Sequence, residues 1–217
     1  MKRFAVVLFV CFSVSSLYSQ DALTLRNEGN KAMVAQQWAI ALAKYEKALT
    51  VWGKRPTDQA MIFSMGACAY RVNDMKKSLK YIDMSIAAGH NLDMAYQYRL
   101  CIMKAQNNND EYLKTLKEGL VKVPNSKVMK ETLAKYYFTE GDKHYHEALA
   151  IMKTAVAQVK AGKYPVSDKA FKDQNDKARM ELKEAMKYMN MSLELNPNDE
   201  NAKTVKTNCQ NQLNMLI

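Results

Sequence analysis

Apolar and small residues recur along this chain at offsets 0, 1, 4, 7 and 8. The sets are Ala41, Leu42, Tyr45, Ala48, Leu49; Ser78, Leu79, Ile82, Ser85, Ile86; Tyr112, Leu113, Leu116, Gly119, Leu120; and Ala185, Met186, Met189, Ser192, Leu193. Such offsets define one buried stripe of an α-helix. Further helical segments precede the first three stripes, at 23–35, 60–72 and 94–105, with breaks at Gln36-Gln37, Asn73-Asp74 and the run from Asn107 to Asp110. Asn and Asp favour turns because their side chains hydrogen-bond the local backbone. Short loops between helices make antiparallel hairpins. A hairpin with one apolar stripe cannot bury it alone, so consecutive hairpins must stack. The pattern predicts an all-α repeat.

Beyond the third stripe, Val128, Leu133, Tyr137, Gly141, Ala148, Met152 and Val159 keep helical spacing. This predicts one long helix, a turn at Gly162-Lys163-Tyr164-Pro165, and a long return helix capped at Ser167 and ending near Leu195. A competing reading makes Glu140-Gly141-Asp142 a turn and needs a separate first helix within 168–180. Ala170, Phe171 and Ala178 give that segment little apolar surface, too little for a buried partner. The long hairpin is preferred. After Asn196-Pro197-Asn198, the residues Ala202, Val205, Cys209, Leu213 and Leu216 mark a last amphipathic helix. Its polar face suits a terminal element that closes an open stack.

These units resemble the tetratricopeptide repeat (TPR), a helix-turn-helix of 34 residues. In that register repeats one to three fall within 22–126, with 56–58 as a short spacer; repeat four with its long hairpin spans 127–197, and a capping helix spans 198–217. The family's small residue at position 8 is matched by Gly29 and Gly66, whereas the third unit has Leu100. Ala41, Tyr45 and Ala48 match positions 20, 24 and 27, and Ser78, Ile82 and Ser85 follow them; Tyr112 departs from the pattern. Pro124 and Pro197 sit where the family ends its second helix.

The resemblance implies a right-handed α-solenoid whose first helices line a concave groove that receives a protein or an extended peptide. Carried over by position, the partner-binding groove comprises Arg26, Asn30, Phe63, Tyr70, Arg71, Met94, Gln97, Lys104, Lys135 and Phe138. Arg26 and Asn30 resemble the start of a basic clamp for a terminal carboxylate. The remaining clamp sites hold Ser64, Met94 and Tyr98 instead of an amide and two cations, so the clamp is incomplete. Arg71 beside Tyr70 is the expected anchor, since Tyr and Arg dominate interface energetics.

Charge and composition add a compartment and remove most chemistry. Met1-Lys2-Arg3, an apolar stretch over 4–14 and a small, polar end read as a signal peptide over 1–19, cleaved after Ser19 or Gln20. The expected location is the periplasm or cell envelope, with no transmembrane span in the mature chain. Cys11 follows bulky Phe9 and Val10 and reads as part of the leader, not as a lipidation site. Losing Lys2 and Arg3 takes the formal charge from +10 to +8. The lysines are dispersed among acids, which disfavours nucleic acid and leaves peripheral association with an anionic envelope surface. Cys68, Cys101 and Cys209 do not make a disulfide framework; adjacent helices pack about 8–10 Å apart, too far for the Cα separation of a disulfide. Three buried free thiols are expected.

Nucleotide, hydrolase and zinc-protease motifs are absent. His90, His144 and His146 read as exposed, the last two pointing to different faces of one helix. Glu181 and Glu184 alternate with lysines like a solvated surface. The chain is therefore read as a non-enzymatic scaffold without cofactors that binds a protein or peptide partner. The rival reading is a Met-rich carrier of a metal or small ligand through Met186, Met189 and Met191, against which Met commonly fills gaps between helices.

Overall fold

The computed structural model describes residues 21–216, so the leader expected over 1–19 lies outside the described residues. Those residues form helices and no strand. They divide into two compact units, one ending at Pro124 and one beginning at Asn125. None of the described helices is long and apolar enough to cross a membrane.

The first unit contains α1 (21–34), α2 (Trp38–Thr50), α3 (Gln59–Arg71), α4 (Met75–Ala87), α5 (Leu92–Ala105) and α6 (Asn109–Lys122). Its three hairpin turns are built alike. Gln36, Asn73 and Asn107 take left-handed φ angles of 57°, 63° and 54°. Each donates its N–H to the carbonyl three residues back, and the next residue reaches back five: Gln37 to Ala32, Asp74 to Ala69, Asn108 to Met103. This pair of bonds satisfies carbonyls that a helix end leaves open. Asparagine enters the left-handed region more readily than most residues, so the Asn-rich breaks stop helices. Asp74 and Asn108 then cap the next helix by accepting from the Lys77 and Glu111 N–H groups.

Glycine marks the helix crossings. A Cβ on Gly29 would lie 2.6 Å from the Tyr45 ring, and one on Gly66 would lie 2.7 Å from Ile82. The Ser78 hydroxyl donates to the Gly66 carbonyl at 2.9 Å in the same crossing. Around these points Tyr45, Ile62, Met65, Ile82, Ile102 and Leu116 are fully buried, each worth about 1.5–3 kcal/mol of burial. Arg99 ties α5 to its neighbours through Asp83 of α4 and Glu111 and Glu118 of α6, at 3.6, 2.9 and 3.8 Å. Cys68 and Cys209 are buried free thiols, but Cys101 is exposed, which corrects the expectation of three buried ones. Its neighbours Ile102 and Met103 take the core-facing positions of α5.

The second unit contains α7 (Lys127–Lys160), α8 (Lys169–Leu195) and α9 (Glu200–Met215). α7 is a single helix of 34 residues, about 50 Å long at 1.5 Å per residue. Glu140-Gly141-Asp142 is helical. A Cβ on Gly141 would lie 2.8 Å from the Met189 methyl and 3.1 Å from the Ala185 carbonyl, so this glycine marks a crossing as Gly29 and Gly66 do. Gly29 and Gly66 face residues 16 positions later, whereas Gly141 faces Met189, 48 positions later, so the hairpin carries 32 inserted residues. Each arm is extended by roughly 20 Å. Ala148, Ala178, Leu182 and Ala185 share a core with Cys209 of α9 and with Leu216, the residue that follows it. Arg179 donates to the Leu216 carbonyl and marks how far along α8 the last helix reaches. Asp168, not Ser167, caps α8, accepting from the Ala170 N–H at 2.7 Å. His144 is half-buried and not exposed. Its Nδ1–H donates to the Glu181 carboxylate at 2.6 Å, and its ring stacks on Tyr188.

Candidate partner-binding face

The half-buried aromatic side chains of a candidate partner-binding face gather on α3 and α5 in the first unit. α3 sends Met61, Ile62, Met65, Gly66, Cys68 and Ala69 into the core. Phe63 and Tyr70, seven residues apart and therefore on one face, are half-buried. α5 buries Ala95, Tyr96, Leu100, Ile102 and Met103, leaving Gln97 and Tyr98 half-buried and Met94 and Cys101 exposed. The Tyr98 ring sits between the two α3 aromatics. Its centroid is 5.8 Å from Phe63 and 5.6 Å from Tyr70, edge to face in both cases. His90, before α5, extends the row at 6.5 Å from Phe63, so it too is not a free surface histidine. Edge-to-face rings at these separations attract one another beyond their area of contact. The result is a preformed aromatic ridge with one side open to water.

Burial raises the Tyr70 phenol above its ordinary pKa, with Cys101 adding to the effect. Burial also raises Tyr112, again with Cys101 contributing. The Tyr70 and Tyr112 phenols thus stay neutral across physiological pH.

The structure separates several residues that sequence position had grouped. Arg71 does not stand beside Tyr70; its guanidinium lies over the Trp38 ring, 5.6 Å from the centroid, because consecutive helical residues point about 100° apart. Arg26 is committed to Asp58 at 2.9 Å. The Asn30 carbonyl accepts the Tyr45 hydroxyl at 2.7 Å. Both clamp-like residues therefore serve the α1–α2–α3 packing. Lys104 is exposed in the last turn of α5, close in sequence to the ridge. Lys135, exposed, and Phe138, half-buried, belong to α7 in the second unit. Sequence position put Tyr98 at a clamp site of the groove but did not join it to Phe63 and Tyr70, and it left His90 as an exposed residue, because their place in the row depends on how α5 registers against α3.

Met189 is fully buried against Gly141, and Met186 packs into the α8–α9 core, so these thioethers fill space between helices. Among the described residues no group of three or more His, Cys, Asp or Glu is arranged to hold a metal ion. In the second unit a shallow hollow of about 570 Å³ runs along α7 between Ala150 and Lys163.

No family model matches the chain, and no curated protein matches it. Solved structures do. A TPR repeats protein from Bacteroides fragilis superposes with a TM-score of 0.65 at 23% identity, covering 88% of this chain and 98% of that one. A tetratricopeptide repeat protein from Parabacteroides merdae gives a TM-score of 0.50 at 10% identity, covering 90% of this chain and 74% of that one. The chain has the tetratricopeptide repeat fold. In TPR terms α1, α3 and α5 are first helices and α2, α4 and α6 second helices, which places the ridge on the first helices of repeats two and three. The close contacts at Gly29 and Gly66 are those the TPR pattern requires at position 8.

Proposed function

We propose that this protein is a non-catalytic scaffold, exported through its leader to the periplasm or cell envelope, that holds a partner protein along the α3–α5 face. The observation that carries this reading is the row Phe63–Tyr98–Tyr70. Three aromatic rings are locked against one another by edge-to-face contacts and left half open to solvent. Buried-rim aromatics supply large contact area with little side-chain freedom left to lose. Met94 adds adaptable apolar surface at one end of the row and Lys104 a cation at the other, which suits an extended segment carrying an apolar side chain and an acidic group. Gln97 offers an amide for main-chain hydrogen bonds. Arg71, on its Trp38 platform, is a second cation beyond the ridge.

The test is affinity capture from envelope extracts with the intact protein and with Tyr98→Ala and Lys104→Glu. A stoichiometric partner recovered by the intact protein should be lost or at least tenfold weakened with Tyr98→Ala, as for the aromatic anchors of other interfaces. Undiminished capture by both variants would remove the ridge from the interface. Export is tested separately by sequencing the N-terminus of the protein recovered from cells, which should begin at Gln20 or Asp21.

A further inference from the structure

We propose that the free end of the α7–α8 hairpin is a docking surface for an anionic lipid layer. This proposal is independent of the α3–α5 ridge and concerns only the second unit. The end belongs to the inserted part of the hairpin, which the crossing at Gly141 does not require. Among the described residues of this unit, α9 and Leu216 share their core with Ala148, Met152, Ala178 and residues nearer the crossing, and no third helix of the unit joins a core with residues 153–177.

That segment holds Lys153, Lys160, Lys163, Lys169, Lys172 and Lys177 against three acids, Asp168, Asp173 and Asp176. All six lysines are exposed. Among the described residues none of them forms an ion pair, while Asp168 is occupied as the α8 cap and Asp176 by Arg179 at 3.4 Å. Along the chain these lysines are separated by up to 24 positions. The antiparallel hairpin gathers them within roughly 12 Å of one end, at 1.5 Å per residue. Lys153 and Lys160 share a flank of α7, Lys163 lies in the turn, and Lys169 and Lys172 share a face of α8. The charges therefore surround a convex end, with no single track for an extended acidic segment. An array of that shape fits a flat anionic layer.

The apex adds an apolar element. Gly162, at φ +70°, closes α7 with the double backbone bond seen in the other hairpins, through Gly162 to Val159 and Lys163 to Gln158. The turn then presents Pro165 and Val166, the latter 60% exposed. Thr154, Ala157 and Ala161 leave a hollow beside Lys153 and Lys163, so these ammonium groups can meet a headgroup without bulky neighbours. Basic charge attracts such an end to anionic lipid, and a small apolar tip adds the second, salt-resistant contribution.

The experiment is co-sedimentation of the chain from Gln20 onward with vesicles of phosphatidylcholine, with and without phosphatidylglycerol. Binding to the anionic vesicles only, weakening as salt shortens the range of charge attraction, is the expected result. The triple variant Lys160→Glu, Lys163→Glu, Lys169→Glu should bind at least about a hundredfold more weakly. A control triple at exposed sites of the first unit, Lys47→Glu, Lys117→Glu and Lys122→Glu, changes net charge equally and should stay within about twofold. Val166→Asp should reduce what binding remains at high salt, and helical circular dichroism confirms that each variant is folded. Equal loss in the control triple, or equal binding to neutral vesicles, overturns the proposal. So does tight binding of soluble poly-glutamate by a protein that ignores anionic vesicles; that result assigns the surface to an acidic protein.

Discussion

The two units use the same glycine-marked crossing and reach opposite outcomes. In the first, Gly66 brings α3 against α4 and the helices turn after 13 residues, so large side chains fill the space between neighbouring hairpins. Tyr45, Ile62, Met65 and Ile82 are fully buried there. In the second, Gly141 makes the same approach beside fully buried Leu182 and Met189, and the helices run on through Ala148, Ala155, Ala178 and Ala185, also fully buried. Alanine lets two helices lie close but contributes little buried area per residue. A short hairpin thus becomes a thick core with an aromatic ridge on its face. A long one becomes an arm whose far end carries six exposed lysines.

The sharpest way to break this contrast is to empty the thick core. Ile82→Ala should cost about 2–5 kcal/mol, seen as a lower urea midpoint by tryptophan fluorescence, since both tryptophans, Trp38 and Trp52, lie in the first unit. A loss below 1 kcal/mol would mean the core is looser than its burial indicates.

Alkaline pH is the second probe. Burial pushes the Cys68 thiol to about 11 and the Tyr45 and Tyr81 phenols to about 12; in the second unit Cys209 is pushed to about 11. The unfolded chain releases these protons first, near 9 for thiols and 10 for phenols. The folded state then holds more protons, and stability falls as pH rises. The fall should begin near pH 9, continue to about 12, and be steeper by tryptophan fluorescence than by total helical signal. Cys68→Ala should flatten its lower part, between pH 9 and 11.

Gly66→Ala and Gly141→Ala form a smaller, paired test. Both gain about 1 kcal/mol of helix propensity. At each the new methyl also meets backbone, the Ile82 nitrogen at 3.2 Å from Gly66 and the Ala185 carbonyl oxygen at 3.1 Å from Gly141. Both substitutions should therefore destabilise by about 1–2 kcal/mol net; urea midpoints compare them, and a cost at only one of the two would undo the analogy between the crossings. Smallest of all, Lys153→Ala and Lys172→Ala at the arm's end should change stability by no more than about 0.5 kcal/mol, read in the same urea titration.

Periodicity alone determined that the chain is helical and where its first hairpins turn, and it favoured one long pair of helices after Pro124 over two shorter repeats, because those properties arise from neighbours on one helix and from turn chemistry within a few residues. The resemblance to the TPR named Phe63 and Tyr70, by their positions in the repeat. Only the tertiary structure decided that Tyr98 and His90 complete their row, that Arg71 leaves it for Trp38, and that Asp58 and Tyr45 occupy Arg26 and Asn30. It also decided that Gly141 is a crossing and that dispersed lysines meet at one end. Each of these depends on how two helices slide past each other before they lock. That offset is set by the sum of many contacts across the seam, which no stretch of one helix contains.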